Sequence, residues 1–188
     1  MTDIKVFIDA VKHTTLSRGS SVSEQKPYDL LIDEMASVFL QVRNADSCAY
    51  FIGNGGSAAV SIHMTVDFLK NGRMRTHSMH DPAVLTCLAN DFGYEHVFGK
   101  QLEMVGRADD LLIAISSSGE SPNIINGVRV ARERGMKIIT LSGFKKGNSL
   151  SRSGDLNVYV PSMNYGTVES IHNMILQDIV DDIKNMSK

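Results

Sequence analysis

Residues 48–57, C-A-Y-F-I-G-N-G-G-S, form an apolar run that passes directly into a glycine-rich turn. A short apolar run without polar alternation is typical of a strand that is buried on both faces of a parallel sheet. Gly53, Gly55 and Gly56 permit a tight turn, and Ser57 stands where a helix would begin. The stretch therefore predicts strand, turn and helix in succession, and the amides at the start of the helix favour an anion.

The same order of elements recurs further along the chain. The apolar run at 111–115 leads into S-S-S-G-E-S at 116–121, and the run at 137–141 leads into Ser142 and Gly143. A fourth strand is predicted at 156–160, before a closing helix over 166–183. Strands that alternate with helices are typical of βαβ units, so we expect an α/β fold, a three-layer sandwich around a central parallel sheet.

The first 45 residues have a different pattern, with helices predicted at 4–16 and 28–42 and a polar stretch between them at 17–27. In the second helix, apolar residues recur at steps of three and four: Leu31, Met35, Val38, Phe39 and Val42. This stripe needs either the sheet or another subunit as a partner. We expect one domain over 1–188, with a helical segment at 1–45 and an α/β core at 46–188.

The composition excludes some classes of partner. Lys and Arg number 19 against 21 Asp and Glu, so the chain has no general electrostatic attraction for nucleic acid or for an anionic membrane. Cys48 and Cys87 fall in apolar segments without metal-type spacing, which predicts buried free thiols. Residues 1–8 lack the features of a signal peptide, and no window approaches the ~20 apolar residues of a membrane span. A cytoplasmic location is therefore expected.

The second loop is rich in hydroxyl groups. Four serines lie within six residues, and Pro122 follows as the first residue of a helix, so that Ser121 is the predicted N-cap. A capped, solvated turn needs only one or two serines, and the surplus favours ligand binding. Both loops follow parallel strands at the carboxyl end, where open α/β sheets bind their ligands. We expect a phosphate to be held by Ser57, Ser116, Ser118 and Ser121.

Two predicted helices carry side chains that suit acid–base or metal chemistry. His63 and Asp67 are four residues apart and project from one face of the helix after the first loop. In the closing helix, Glu169 and Gln177 lie about 80° apart around the axis and share a face. His172 lies about 140° from Gln177 and is interpreted as a packing residue.

These motifs resemble those of one family. F-I-G-N-G-G-S-A-A at 51–59, followed by His63, and A-I-S-S-S-G-E-S at 114–121 resemble the phosphate and serine loops of the bacterial phosphoheptose isomerases. The stretch at 85–94 and V-P-S at 160–162 extend the resemblance over about 30–180. It implies a flavodoxin-like SIS (sugar isomerase) domain that interconverts sedoheptulose 7-phosphate and D-glycero-D-manno-heptose 7-phosphate through an enediol. It also implies a homotetramer, with N-terminal helices packing on the sheet and on neighbouring subunits, and active sites at subunit borders.

The resemblance also implies roles for single residues. It places one zinc per subunit on His63, Asp67, Glu169 and Gln177, and catalysis on the last three. The implied substrate-binding residues are Asn54, Gly55, Gly56, Ser57, Asn90, Asp91, Ser116, Ser117, Ser118 and Ser121. The chain departs from the family at three of these positions, because Asp67 replaces a Glu, Gln177 replaces a His, and Glu169 replaces a Gln.

These departures leave two functions open. Gln177 cannot exchange a proton near neutral pH, although its carbonyl can bind a metal or orient a hydroxyl. Asp67 and Glu169 can share the acid and base roles if their pKa values differ, and the chain is then an aldose–ketose isomerase. The alternative is an inactive sugar-phosphate-binding or protein-binding adaptor that kept the phosphate loops. Gln177 favours the adaptor, whereas the retained carboxylates and His63 favour the enzyme.

Overall fold

The chain alternates strands and helices over most of the computed structural model, which describes residues 4–19 and 27–186. Within these ranges the elements are, in order, α1 (Ile4–Lys12), β1 (Thr15–Arg18), α2 (Tyr28–Asn44), β2 (Cys48–Gly53), α3 (Gly56–Lys70), β3 (Arg75–Ser78), α4 (Pro82–Phe92), α5 (Val97–Val105), β4 (Leu111–Ser116), α6 (Pro122–Glu133), β5 (Lys137–Ser142), β6 (Leu156–Tyr159) and α7 (Tyr165–Asn185). Short 3₁₀ helices lie at Tyr94–His96 and Leu150–Arg152. Most of the predicted polar stretch, residues 20–26, lies outside the described residues, as do residues 1–3 of the segment compared with a signal peptide.

The six strands form one sheet in the order β1-β6-β5-β4-β2-β3. The strands from β2 to β6 are parallel, and β1 pairs with β6 in the antiparallel direction. The order of the five parallel strands is that of flavodoxin, as the family resemblance implied. Strands β3 and β4 pair with opposite edges of β2, so the direction of winding reverses between β2 and β4. Open α/β sheets bind their ligands at such a reversal, and the loops that follow β2 and β4 lie on either side of it.

Two apolar clusters cover the two faces of this sheet and make the three layers. In β4, Ile113 and Ile115 belong to the cluster with α2, α3 and α7, whereas Leu112 and Ala114 belong to the cluster with α5 and α6. Alternate residues of a strand point to opposite faces, so a strand between two layers must be apolar throughout. This explains why every residue of β4 is buried.

The N-terminal segment differs from the predicted pair of helices. Helix α1 ends at Lys12, and Thr15–Arg18 forms the antiparallel edge strand β1, in which Leu16 is buried against the sheet. The prediction of a helix over 4–16 was therefore wrong, and the N-terminal segment contains a strand as well as helices. Helical periodicity is a local signal, and it was overridden here by the free edge of β6.

The apolar stripe of α2 is covered within the chain itself. Leu31, Met35 and Phe39 are each at most 1% exposed, and they belong to the same cluster as the sheet. The stripe therefore covers the sheet, and it no longer argues for contact with another subunit. Both thiols are free, as predicted, but the prediction that they are buried was wrong, because Cys48 is half-buried and Cys87 is exposed. The described part of the chain contains no helix long and apolar enough to cross a bilayer.

Candidate functional site

The first phosphate-type loop joins β2 to α3, and its path depends on glycine. Gly55 has a φ of 55°, in the left-handed region that glycine adopts without a steric penalty. Helix α3 begins at Gly56, and Ser57 is buried in its first turn. The first amides of a helix have no partner within the helix and carry part of the positive end of its dipole. This loop can therefore hold an anion without a cationic side chain.

The second loop brings serine hydroxyls together at the end of β4. The Oγ of Ser116 lies 3.3 Å from the Oγ of Ser121 and 3.5 Å from that of Ser118. Ser121 is at the N-cap position of α6, as predicted, yet its side chain does not cap the helix. Ser117 Oγ is buried and has no hydrogen-bond partner among the described residues. The Oγ atoms of Ser116 and Ser118 accept from the backbone N–H groups of Gly119 and Glu120 within the turn. A hydroxyl that accepts a hydrogen bond still carries its own proton, so these serines can donate to a ligand.

A cavity of about 400 Å³ lies between the two loops. Its walls come from both loops and from the start of α7: Asn54, Gly55, Gly56, Ser57, Ser116, Ser117, Ser118, Ser121, Tyr165 and Glu169. Eight of the ten substrate-binding residues expected from the sequence are thus brought together. Tyr165 was missed, because a single tyrosine at the start of a predicted helix gives no local signal. Its ring packs against Phe144, with the ring centroids 4.7 Å apart.

Glu169 is the one carboxylate in this wall. It projects from α7 onto the first turn of α3, where its Oε2 takes the space that a side chain at Gly56 would fill. Partial burial raises the pKa of Glu169 above the usual range of a glutamate. A carboxylate with a raised pKa beside an anion-binding loop is a candidate for proton transfer.

The other predicted catalytic and metal-binding residues do not line the cavity. His63 Nε2 lies 3.3 Å from Asp67 Oδ2, so these two side chains meet as their spacing predicts. Asp67 follows Gly56 by eleven residues, about 16 Å along α3, whereas Glu169 contacts the start of that helix. Gln177 lies about 12 Å further along α7 than Glu169. The resemblance places one zinc on these four residues, and a single chain does not bring all four to this cavity.

The implied zinc shell does not fit one chain as a unit. Among the described residues, no group of three or more His, Cys, Asp and Glu side chains is arranged to hold a metal ion. Asn90 and Asp91 lie in the exposed last turn of α4 and do not line the cavity. The roles of these residues in metal or sugar binding remain predictions.

Two histidines bond to backbone carbonyls at the carboxyl ends of β2 and β5, and the sequence analysis singled out only one of them. His172 is fully buried, its Nε2 donates to the carbonyl of Ser142, and burial lowers its pKa to about 4, which confirms its interpretation as a packing residue. His80 was missed. Its Nε2 donates to the carbonyl of Gly53 at 2.9 Å, while its Nδ1 lies 2.8 Å from Ser78 Oγ. Burial also lowers the pKa of His80, so the neutral ring holds the start of the first loop.

The fold and the two loops define an open α/β protein of the SIS type. A sequence profile of the SIS domain matches residues 20–143. The phosphoheptose isomerase of Edwardsiella ictaluri is 37% identical over 159 residues, which cover 78% of this chain and 81% of that protein. The chain therefore belongs to the SIS-domain phosphoheptose isomerase family.

Solved structures agree with this assignment. The phosphoheptose isomerase of Neisseria gonorrhoeae superposes with a TM-score of 0.75 at 33% identity, covering 81% of this chain and 84% of that one. The phosphoheptose isomerase of Francisella tularensis gives a TM-score of 0.82 at 25% identity, covering 97% of this chain and 92% of that one.

Proposed function

We propose that this protein is an aldose–ketose isomerase of a phosphorylated sugar, and that its substrate pair is sedoheptulose 7-phosphate and D-glycero-D-manno-heptose 7-phosphate. One observation carries the proposal: a glycine-rich helix start, a set of converging serine hydroxyls and one carboxylate with a raised pKa line the same cavity. The names of the relatives and of the solved structures support the same reaction.

The loops bind the phosphate end of the sugar. The amides at the start of α3 and the hydroxyls of Ser116, Ser118 and Ser121 can donate to phosphate oxygens. No lysine or arginine lines this cavity among the described residues, so binding relies on dipoles and neutral donors. The same contacts are made before and during the reaction, and they therefore set the position of the sugar carbons rather than the chemistry.

Glu169 exchanges the proton in this proposal. As a carboxylate it removes the proton from C1 of the ketose, and the electron pair of that bond forms the C1=C2 double bond while the C2 carbonyl oxygen takes up a proton. Return of a proton to C2 and loss of the O1 proton then give the aldose. Of the two carboxylates predicted for this task, Glu169 lines the cavity, whereas Asp67 lies further along α3.

Zinc enters the proposal only through His63 and Asp67. A histidine nitrogen and a carboxylate oxygen are ligands that zinc accepts, and this pair supplies both from one face of α3. The described residues of one chain add no third His, Cys, Asp or Glu to the pair. We therefore derive no step of the reaction through a metal.

Assembly into a homotetramer is also part of the proposal. Its support is an exposed apolar face on α3, because the stripe of α2 is covered within the chain. Ile62, Val66 and Leu69 of α3 are 47–56% exposed and lie on the helix that carries His63 and Asp67. Apolar side chains at this spacing favour a second copy as the partner. A cytoplasmic location belongs to the same proposal and is supported by the two free thiols.

The test is isomerisation of sedoheptulose 7-phosphate followed by proton NMR in D₂O, with and without added zinc. We expect product formation with deuterium incorporated at the carbon that exchanges its proton. Glu169→Gln should lower turnover by at least about 10²-fold, the usual contribution of a general base, and should still bind inorganic phosphate. Glu120→Gln is the matched control, because Glu120 lies in the serine loop but its exposed carboxylate does not line the cavity and accepts hydrogen bonds from Ser149.

Two results would count against this assignment. Binding without isomerisation, with or without zinc, would favour the adaptor alternative. Equal turnover in the Glu169→Gln protein and the parent would remove Glu169 as the base and return that role to Asp67.

A further inference from the structure

A pair of asparagine side chains joins the two phosphate-type loops. Asn54 belongs to the glycine-rich loop after β2, and Asn123 lies in the first turn of α6, just after the serine loop. Asn54 Nδ2 donates to Asn123 Oδ1 at 2.9 Å, and Asn123 Nδ2 donates to Asn54 Oδ1 at 2.9 Å. The two amides thus exchange hydrogen bonds in both directions across 69 residues of chain.

The orientation of both amides follows from a third group. The backbone N–H of Ile124 can only donate, and it lies 3.0 Å from the side chain of Asn123, which must therefore place its Oδ1 there. The Nδ2 of Asn123 then faces Asn54 Oδ1, and the reciprocal bond is determined as well. The hydroxyl of Tyr94 also donates to Asn54 Oδ1, at 3.1 Å, so both lone pairs of that oxygen are used.

We propose that Asn54 and Asn123 are positioning residues that hold the two loops at the separation that one phosphate group requires. This inference rests on the proposed function. The carbonyl oxygen of Asn54 is already committed, so its side chain acts through the loop rather than by accepting a hydrogen bond from the sugar. Asn123 does not line the cavity and is 2% exposed, which places it behind the site.

The need for such a connection follows from where the loops begin. They leave neighbouring strands, paired at Gly53 and Ile115, and beyond that point no backbone ladder joins them. The first loop contains Gly55 and Gly56, which restrict the backbone less than other residues do. An amide pair with one buried member, Asn123, restores the constraint at low entropic cost, because each asparagine has only two side-chain torsions to fix.

The first test removes the amide at Asn123 while keeping its shape. We expect Asn123→Leu to raise the dissociation constant of inorganic phosphate and the KM for the sugar phosphate about tenfold, because the half-buried amide of Asn54 loses its partner and the first loop loses its anchor. The kcat should change less, because the phosphate contacts are the same in ground and transition states. Asn126→Leu is the control, since it removes one side-chain bond of the same helix, to the carbonyl of Glu95, without touching either loop.

A second variant separates positioning from general stability. In Asn123→Asp, a protonated carboxyl group can both donate to Asn54 Oδ1 and accept from Asn54 Nδ2, whereas an ionised one can only accept. The ratio of its phosphate dissociation constant to that of the parent should therefore fall as the pH is lowered from 8 to 5. Asn54→Ala, which alters the half-buried member of the pair, should raise the phosphate dissociation constant as Asn123→Leu does. The double variant should bind phosphate no more weakly than the weaker-binding of the two single variants.

The outcomes distinguish this inference from the proposed function. A parent protein that neither binds phosphate nor isomerises the sugar overturns both. A parent that does both, together with an Asn123→Leu or Asn54→Ala protein whose phosphate affinity is within twofold of the parent, overturns the positioning role alone. If Asn123→Leu does not fold, the Asn54→Ala and Asn123→Asp measurements decide the question.

Discussion

The carboxylate of Glu169 lies directly against Gly56, in the space that a Cβ atom at that glycine would occupy. This contact brings α7 onto the first turn of α3, beside the amides that face the cavity. The contact also requires glycine at position 56 for a reason separate from turn formation, because any side chain there would have to displace the Glu169 carboxylate. The relation between these two residues determines where a proton-transfer group stands relative to the phosphate loops.

The first prediction concerns this contact. Gly56→Ala should lower kcat/KM by at least tenfold, because the new methyl group and the Glu169 carboxylate cannot share one position. Gly166→Ala, also near the cavity wall in α7, is the control, since its Cβ would lie 3.3 Å from Asn164 Oδ1, a contact that a small shift relieves. Steady-state kinetics of both variants decide the point, and equal activities would show that Glu169 does not need this position.

The second prediction concerns the serine loop. Ser116→Ala combined with Ser118→Ala should weaken inorganic phosphate binding by about tenfold or more, because two donors to the anion are lost together. Ser37→Ala is the control, since Ser37 is on helix α2, outside the cavity, and its hydroxyl donates to the carbonyl of Glu34. The measurement is titration calorimetry. An affinity unchanged from the parent would reduce the serines to elements of the turn.

The third prediction is a pH profile. Because Glu169 must be ionised to remove a proton and burial raises its pKa, kcat/KM should rise with pH through a value above the usual range of a glutamate. This limb should disappear from the residual activity of Glu169→Gln and remain in Glu120→Gln. A profile that is flat from pH 4 to 8 in the parent would contradict the assignment of Glu169 as base.

The fourth prediction concerns stability rather than activity. The pKa of His172 falls from 6.5 to about 4 on burial, so between these values the unfolded chain binds a proton that the folded chain does not. This contribution to the free energy of unfolding is complete above pH 6.5 and is lost as the pH falls to 4, a total of about 3 kcal/mol. Urea unfolding at a series of pH values measures it.

The matched variant for this measurement is His172→Gln. Its side-chain amide can still donate to the carbonyl of Ser142 but does not titrate. Glu169 and Asp182, whose pKa values burial raises, contribute slopes of the opposite sign and are present in both proteins. The difference between the two pH profiles therefore isolates His172, and identical profiles would show that this ring is not held neutral.

The fifth prediction concerns assembly. If the exposed apolar face of α3 is a subunit contact, Val66→Asp should convert an oligomer into smaller species, because a carboxylate would be buried without a partner. Met163→Asp, at a residue that is 72% exposed on another surface, should leave the oligomer intact. Light scattering at micromolar concentration measures both. A parent protein that is monomeric would remove the tetramer from the proposal.

Much of the fold could be predicted from local patterns. The strands β2, β4 and β5 are mainly apolar because they are covered on both faces, and each passes into a glycine or serine turn that marks its end. The edge strands β1 and β3 were missed. Their sequences, T-L-S-R and R-T-H-S, are largely polar, and they exist as strands because β6 and β2 offer them unpaired backbone groups.

The sequence by itself determined the chemistry of the two phosphate-type loops, because glycine at a positive φ and serines ahead of a helix act within a few residues of chain. Only the tertiary structure decided which distant side chains complete the site. It brought Glu169 onto Gly56 and Asn123 onto Asn54, and it left Asp67 and Gln177 outside the cavity. Helical spacing states which residues share a face, but the packing of one helix against another determines how far along its axis each contact falls.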